Sequence, residues 1–134
     1  MRFDTKLAVV VRGDLATWQK LNVTAFLASG IAAGVPDLIG KPYEDATGNT
    51  YLPLLGHPVL VFTGDDLRPA FTRATSRELP VAIYTDDMFT TGNDDDNRAV
   101  VREVAEADLN LAGFAVFGPK NAIDKVCKGL ALHK

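Results

Sequence analysis

The sequence predicts an α/β fold: three layers, α/β/α, around a four-stranded, mostly parallel (mixed) sheet. Two observations carry that reading. Four short apolar runs, Lys6–Val11, Pro58–Phe62, Val81–Tyr84 and Gly113–Phe117, are rich in β-branched or aromatic residues and bounded by Gly, Pro or Asp, as strands are. Between them, Thr17–Val35, Asp65–Glu78 and Asp94–Ala107 read as helices; the one interior proline, Pro69, falls in a first turn, where its missing N–H costs little. Strands alternating with helices predict parallel neighbours joined by crossovers, with helices covering both faces of the sheet.

The helix starts have electrostatic causes. Asp65 and Asp66 follow Thr63-Gly64, and Asp94, Asp95 and Asp96 follow Asn93, placing negative charge where a helix presents unsatisfied N–H groups. Three consecutive aspartates lack the alternating spacing of a calcium loop, so capping is the better account and no metal site is expected. The first helix is apolar nearly all round, through Leu21, Val23, Ala25, Phe26, Leu27, Ala28, Ile31, Ala32 and Ala33. Such a helix should be buried on more than one side. One side is expected to pack on the sheet, and the other to meet either the long following loop or a second subunit. In that loop, Tyr43–Ala46 and Thr50–Leu52 flank Thr47-Gly48-Asn49, turn chemistry that predicts a small β-hairpin.

Composition narrows the function classes. A chain of 134 residues is expected to form one domain, residues 1–134, with an insertion at about 36–57. No apolar run reaches the ~20 residues that span a bilayer, and Met1–Lys6 is too short and acidic to begin a secretory signal, so a cytoplasmic protein with no membrane partner is expected. The single cysteine, Cys127, has no partner for an internal disulfide and no obvious base beside it. With 14 basic and 17 acidic residues the net charge is −3, which disfavours tRNA or any other polyanion as the main partner. Local basicity would require Arg12, Lys20, Arg68, Arg73 and Lys120 to converge in space. His57 and His133 lack metal-ligand spacing, Ser29 and Ser76 lack nucleophile-elbow context, and no cofactor motif is present.

Two segments carry the candidate chemistry. Val10, Val11, Arg12, Asp14 and Leu15 end the first strand, with Lys20 opening the next helix; Leu79, Pro80, Asp86, Asp87, Met88 and Thr90 accompany the third strand. Together they resemble the V-V-R-x-D-L, lysine and L-P…D-A-G-x-T signature of the type 2 peptidyl-tRNA hydrolases. The insertion Tyr43, Asp45, Gly48, Tyr51, Pro53, Leu54, followed by Gly56, Pro58 and Val59, resembles the Y-x-D-x-x-G…Y-x-P-L and G-x-P-V pattern of the domain-of-unknown-function 2000 family, over nearly the full chain. The first resemblance implies a peptidyl-tRNA hydrolase type 2-like fold and a homodimer; the second implies the insertion, much shorter in the hydrolases, that the turn residues make a β-hairpin. The first also implies a catalytic set of Lys20, Asp86 and Thr90. Around it Arg12, Asp14, Trp18, Thr24, Asp87, Tyr43 and Tyr51 are expected to bind substrate, the two tyrosines as a pocket wall.

Ester hydrolysis needs a group to orient or deprotonate water and a donor for the developing oxyanion. A lysine at a helix start, an aspartate leaving a strand's C-terminal end and a threonine in the following turn supply such groups. The lysine should also find a carboxylate partner, Asp14 or Asp86, against the helix dipole. Several positions depart from the hydrolase pattern: Thr24 stands for a glutamine, Leu27 for a histidine, and Asp87-Met88 for Ala-Gly. Methionine does not easily adopt the backbone freedom of that glycine, and the Asp87 carboxylate would repel phosphate. The expectations are therefore a hydrolase acting on an ester- or amide-linked small-molecule substrate, a non-catalytic homodimer that binds a small-molecule ligand or protein, or peptidyl-tRNA hydrolase itself.

Overall fold

The computed structural model describes residues 4–134. Its main sheet has five strands in the order β5-β6-β1-β4-β7, formed by β1 (Thr5–Arg12), β4 (Val59–Gly64), β5 (Val81–Thr85), β6 (Leu111–Pro119) and β7 (Ala131–Leu132). Four helices accompany it: α1 (Thr17–Gly34), α2 (Arg68–Ser76), α3 (Asp94–Arg102) and α4 (Lys120–Val126). A separate two-stranded hairpin, β2 (Tyr43–Glu44) with β3 (Thr50–Tyr51), falls where the turn residues predict it. Among the described residues no helix is long and apolar enough to cross a membrane.

The sheet corrects the expected four mostly parallel strands. Only β1 and β4 run parallel; β1–β6, β5–β6 and β4–β7 are antiparallel. A helix between two strands does not oblige a crossover. Helix α1 and the hairpin do carry the chain from β1 to its parallel neighbour β4. Helix α3, by contrast, packs on a 3-10 turn (Asp86–Thr90) beyond the end of β5, so the chain enters β6 from that same end and runs back antiparallel. The fifth strand, β7, is a two-residue pairing in the tail, too short to show as a periodic run. Two predicted helices are also shorter than read: α2 spans only Arg68–Ser76, and α3 stops at Arg102, with a 3-10 turn at Glu106–Asp108.

Strand β1 lies at the centre, and Leu7–Val11 is buried on both faces. That is why it reads as a continuous apolar run and not as an alternation. Ala8 and Val10 face one core with Phe71, Phe114 and Ile123, beneath α2 and α4. Leu7, Val9 and Val11 face the other with Val23, Leu27 and Ile31 of α1. The three-layer arrangement holds in that sense. Helix α1 does not, however, bury its whole circumference: Leu21 and Phe26 are exposed.

Gly113 sets how closely α1 approaches. A Cβ there would lie 2.6 Å from Val10 O and 2.8 Å from Val23 Cγ1, so the helix rests where a side chain would stand. At the start of α3, Asn93 is the cap, its Oδ1 accepting from the Asp96 N–H at 2.8 Å. Asp94 and Asp95 pair with Arg98 one turn on, giving the acidic run a structural role.

Candidate functional site

The ends of β1 and β5 meet through one side chain. Arg12, the last residue of β1, donates to both carboxylate oxygens of Asp86 (3.0 and 2.9 Å), to Leu111 O at the start of β6 (2.9 Å), and to Asp14 Oδ1 (2.6 Å). The Arg12 side chain is 19% exposed and that of Asp86 28%. Hydrogen bonding to Asp86, and secondarily to Asp14, raises the Arg12 pKa above its ordinary value. The Arg12 guanidinium in turn holds the Asp14 carboxyl below the usual carboxylate range, with a smaller contribution from the positive charge of Lys20. Lys20, Asp14, Arg12 and Asp86 thus alternate in charge along one rim of the molecule.

Helix α1 divides this rim into two hollows. Side chains two positions apart on a helix point about 200° apart, so Lys20 and Trp18 face opposite flanks. On the first flank Lys20 and Thr24 line a groove of about 390 Å³ with Leu21, Val11, Val61 and the tail residues His133 and Lys134. The Lys20 ammonium lies 3.2 Å from His133 Nε2, while His133 Nδ1 lies 2.8 Å from the main-chain oxygen of Lys134. An Nδ1-protonated ring satisfies both contacts. The Thr24 hydroxyl donates to Lys20 O one turn back (2.7 Å).

On the second flank Trp18, Asn22 and Phe26, at i, i+4 and i+8, border a hollow of about 340 Å³ closed by Tyr84, Phe89 and Asn97. Neighbouring rings run Trp18–Phe89, Phe89–Tyr84 and Tyr84–Phe26, with centroids 6.0, 5.0 and 5.9 Å apart.

The predicted site residues therefore fall into separate groups. Arg12, Asp14 and Asp86 come together, and Lys20 and Thr24 share the groove. The carboxylate partner expected for Lys20 is not an ion pair: Asp14 is spent on Arg12, and the ammonium faces a histidine. Thr90 is exposed and donates to Asp87 O within its own turn (2.7 Å). Asp87 is exposed on that turn. Tyr43 and Tyr51 pair across the exposed hairpin, where Tyr51 donates to Asp45 Oδ2 (2.7 Å), and neither lines the hollows beside α1.

The five cations whose convergence local basicity would require do not come together. Arg12 and Arg68 line one hollow of about 190 Å³ with Asp65 and Asp66. Arg73 donates instead to Val126 O and Lys128 O, and Lys120 follows the end of β6 that pairs with the start of β1, opposite Arg12. Sequence reasoning singled out Trp18 but missed Asn22, Phe26, Tyr84, Phe89 and Asn97. The spacing of Trp18, Asn22 and Phe26 was the available signal. His133 carried none, since only the fold returns the tail to α1.

No curated protein matches the chain. Among solved structures, that of a protein of unknown function from Agrobacterium tumefaciens strain C58 is 43% identical, with a TM-score of 0.95 over 99% of this chain and 100% of that one. The model described as Protein of unknown function (DUF2000) matches residues 5–134, so the chain belongs to the DUF2000 family.

Proposed function

We propose that this protein is a small-molecule-binding module of peptidyl-tRNA hydrolase type 2-like fold, whose Lys20 groove takes a ligand with an anionic head and an apolar body. The observation that carries the reading is the division of labour between Lys20 and Asp86. Arg12 holds both oxygens of Asp86, which leaves that carboxylate badly placed to serve as a base. Lys20 points into a groove with Lys134 and His133 at its polar end and Val11, Val61 and Leu21 along its walls. Few polar groups over an apolar floor is the ordinary composition of a ligand site. The test is calorimetric titration of short-chain carboxylates and phosphate monoesters into wild type and Lys20→Ala. Binding weakened at least tenfold in Lys20→Ala supports the reading, and no binding to either protein ends it.

A second reading, hydrolysis of an ester or amide through Lys20, Asp86 and Thr90, is favoured by one observation. Asp86 and Thr90 begin and end a single 3-10 turn, and Lys20 lies in the first turn of α1 near the same charged rim. Release of peptide from peptidyl-tRNA by wild type, abolished in Lys20→Ala, would make this the function and tRNA the substrate, against the net charge of −3. We further propose a homodimer through the outer side of α1, where Leu21 is 67% exposed and no charged residue occurs from Leu21 to Gly34. Sedimentation equilibrium of wild type and Leu21→Glu tests it; a monomer at all concentrations refutes it.

A further inference from the structure

The aromatic hollow on the other flank of α1 is unused by the reading above, and its lining is chemically specific. Trp18 is 63% and Phe26 54% exposed, so two large rings are held at the surface when burial would stabilise the fold. The edge-to-face packing of Trp18 on Phe89, at 75° between planes, anchors the indole through one contact. Tyr84 and Phe89 form the inner wall, tilted at 52° to each other.

The polar groups of the hollow are donors and acceptors without net charge. The single Thr91 hydroxyl proton is shared between Met88 O and Asn97 Oδ1, and the contact fixes the Asn97 carboxamide at the edge of the hollow. Asn22 makes no side-chain hydrogen bond to another described residue. The one carboxylate at the rim, Asp94, is paired with Arg98. Among the described residues no lysine or arginine lines the space, and Asp87, Asp95 and Asp96 are exposed on the neighbouring turns.

We infer that this hollow binds an uncharged planar heteroaromatic ring of nucleobase type, a purine base or nucleoside, against the row of rings from Trp18 to Phe26 with its polar edge on Asn22 and Asn97. Aromatic faces stack on such rings at a gain of about 1–3 kcal/mol per base, and carboxamides match the adjacent donor and acceptor pattern of a purine edge. A volume of about 340 Å³ admits a ligand of that size. Asp87, Asp95 and Asp96 leave the surroundings net negative beside the single cation Arg98, which disfavours a phosphorylated form and separates a free nucleoside from a nucleotide or a nucleic-acid strand.

Trp18 is the only tryptophan of the chain, so its emission reports on this hollow alone. Adenosine, guanosine and adenosine monophosphate are titrated into the full chain, with excitation at the red edge of tryptophan absorption, where purines are transparent. Saturable quenching by a nucleoside is expected, weakened about tenfold in Phe26→Ala and in Asn97→Ala, and at least tenfold weaker for the monophosphate. Circular dichroism establishes that each variant is folded, and amide chemical-shift mapping on wild type gives a second measure, with changes expected around residues 18–26 and 84–97. The inference is overturned by the absence of saturable quenching and shift changes up to about 5 mM nucleoside. It is equally overturned by affinity that survives both substitutions, or by a monophosphate that binds as tightly as the nucleoside. Binding of small carboxylates at Lys20 is read by calorimetry at a different site, so either proposal can fail without the other.

Discussion

Arg12 clamps Asp86 with two parallel N–H···O bonds across strands that are not neighbours. The guanidinium reaches from the end of β1 over the start of β6, where it also binds Leu111 O, to the residue that follows β5. One side chain therefore ties three strands at the end of the sheet where the candidate site lies. Bidentate geometry makes this pair stronger than the exposed Arg12–Asp14 contact beside it.

Removing the guanidinium should leave the partly buried Asp86 carboxylate without its cation. Arg12→Met is expected to lower stability by about 2 kcal/mol, and the double variant Arg12→Met/Asp86→Leu to recover most of it. Urea unfolding of the three proteins checks the order.

Gly113→Ala should be among the most damaging small changes. The new methyl would stand 2.6 Å from Val10 O, a backbone atom that cannot turn aside, and 2.8 Å from Val23 Cγ1. A loss of about 3 kcal/mol is expected, seen as a lower denaturant midpoint. A midpoint unchanged from wild type would mean that α1 does not sit this close to β6.

Thr85 is 2% exposed, and its hydroxyl has no hydrogen-bond partner among the described residues. Exchange for a methyl of the same shape removes the desolvation cost, so Thr85→Val should stabilise by about 1 kcal/mol. Equilibrium unfolding that shows a loss instead would reveal a bound water or ligand satisfying the hydroxyl.

The hairpin turn should be pH-sensitive on both sides of neutrality. Tyr51 donates to Asp45, whose other oxygen accepts the Thr47 and Asn49 N–H groups. The Asp45 carboxyl is held below the usual carboxylate range, first by the Tyr51 hydroxyl, and the Tyr51 pKa is raised, first by Asp45. A depressed carboxyl stabilises above its unfolded pKa and loses that contribution as pH falls through the folded value. A raised phenol stabilises below its unfolded pKa and loses it as pH rises through the folded value. Amide shifts of Thr47 and Asn49 should therefore move at acid and alkaline extremes, and Tyr51→Phe should abolish only the alkaline movement completely.

Cys127, buried at the C-terminal end of α4, has its thiol pushed up to about 11, chiefly by burial. At pH 8 only on the order of 10⁻³ of it would be thiolate, against roughly a quarter of an unfolded cysteine. Alkylation by iodoacetamide should be at least about a hundredfold slower in the native protein than in urea. Rapid native labelling would place the thiol in a solvent-open setting.

Local chemistry made much of the molecule legible. The apolar runs identified four of the strands, the Thr47-Gly48-Asn49 turn identified the hairpin, and Asn93 before three aspartates identified a helix start. In each case the cause lies within a few residues: burial on both faces, a positive φ of 94° at Gly48, a side chain capping its own helix. These elements, and the family, follow from the order of the amino acids alone. Which strands are neighbours, and which side of α1 meets which surface, is decided by packing between elements far apart in the chain. Arg12 finds Asp86 across 74 residues, and Lys20 finds His133 across 113, while Lys20 and Trp18, two residues apart, serve opposite hollows. A helix turns by about 100° per residue, so closeness in sequence does not imply a shared site; only the seating of α1 on the sheet sorts its side chains between the two.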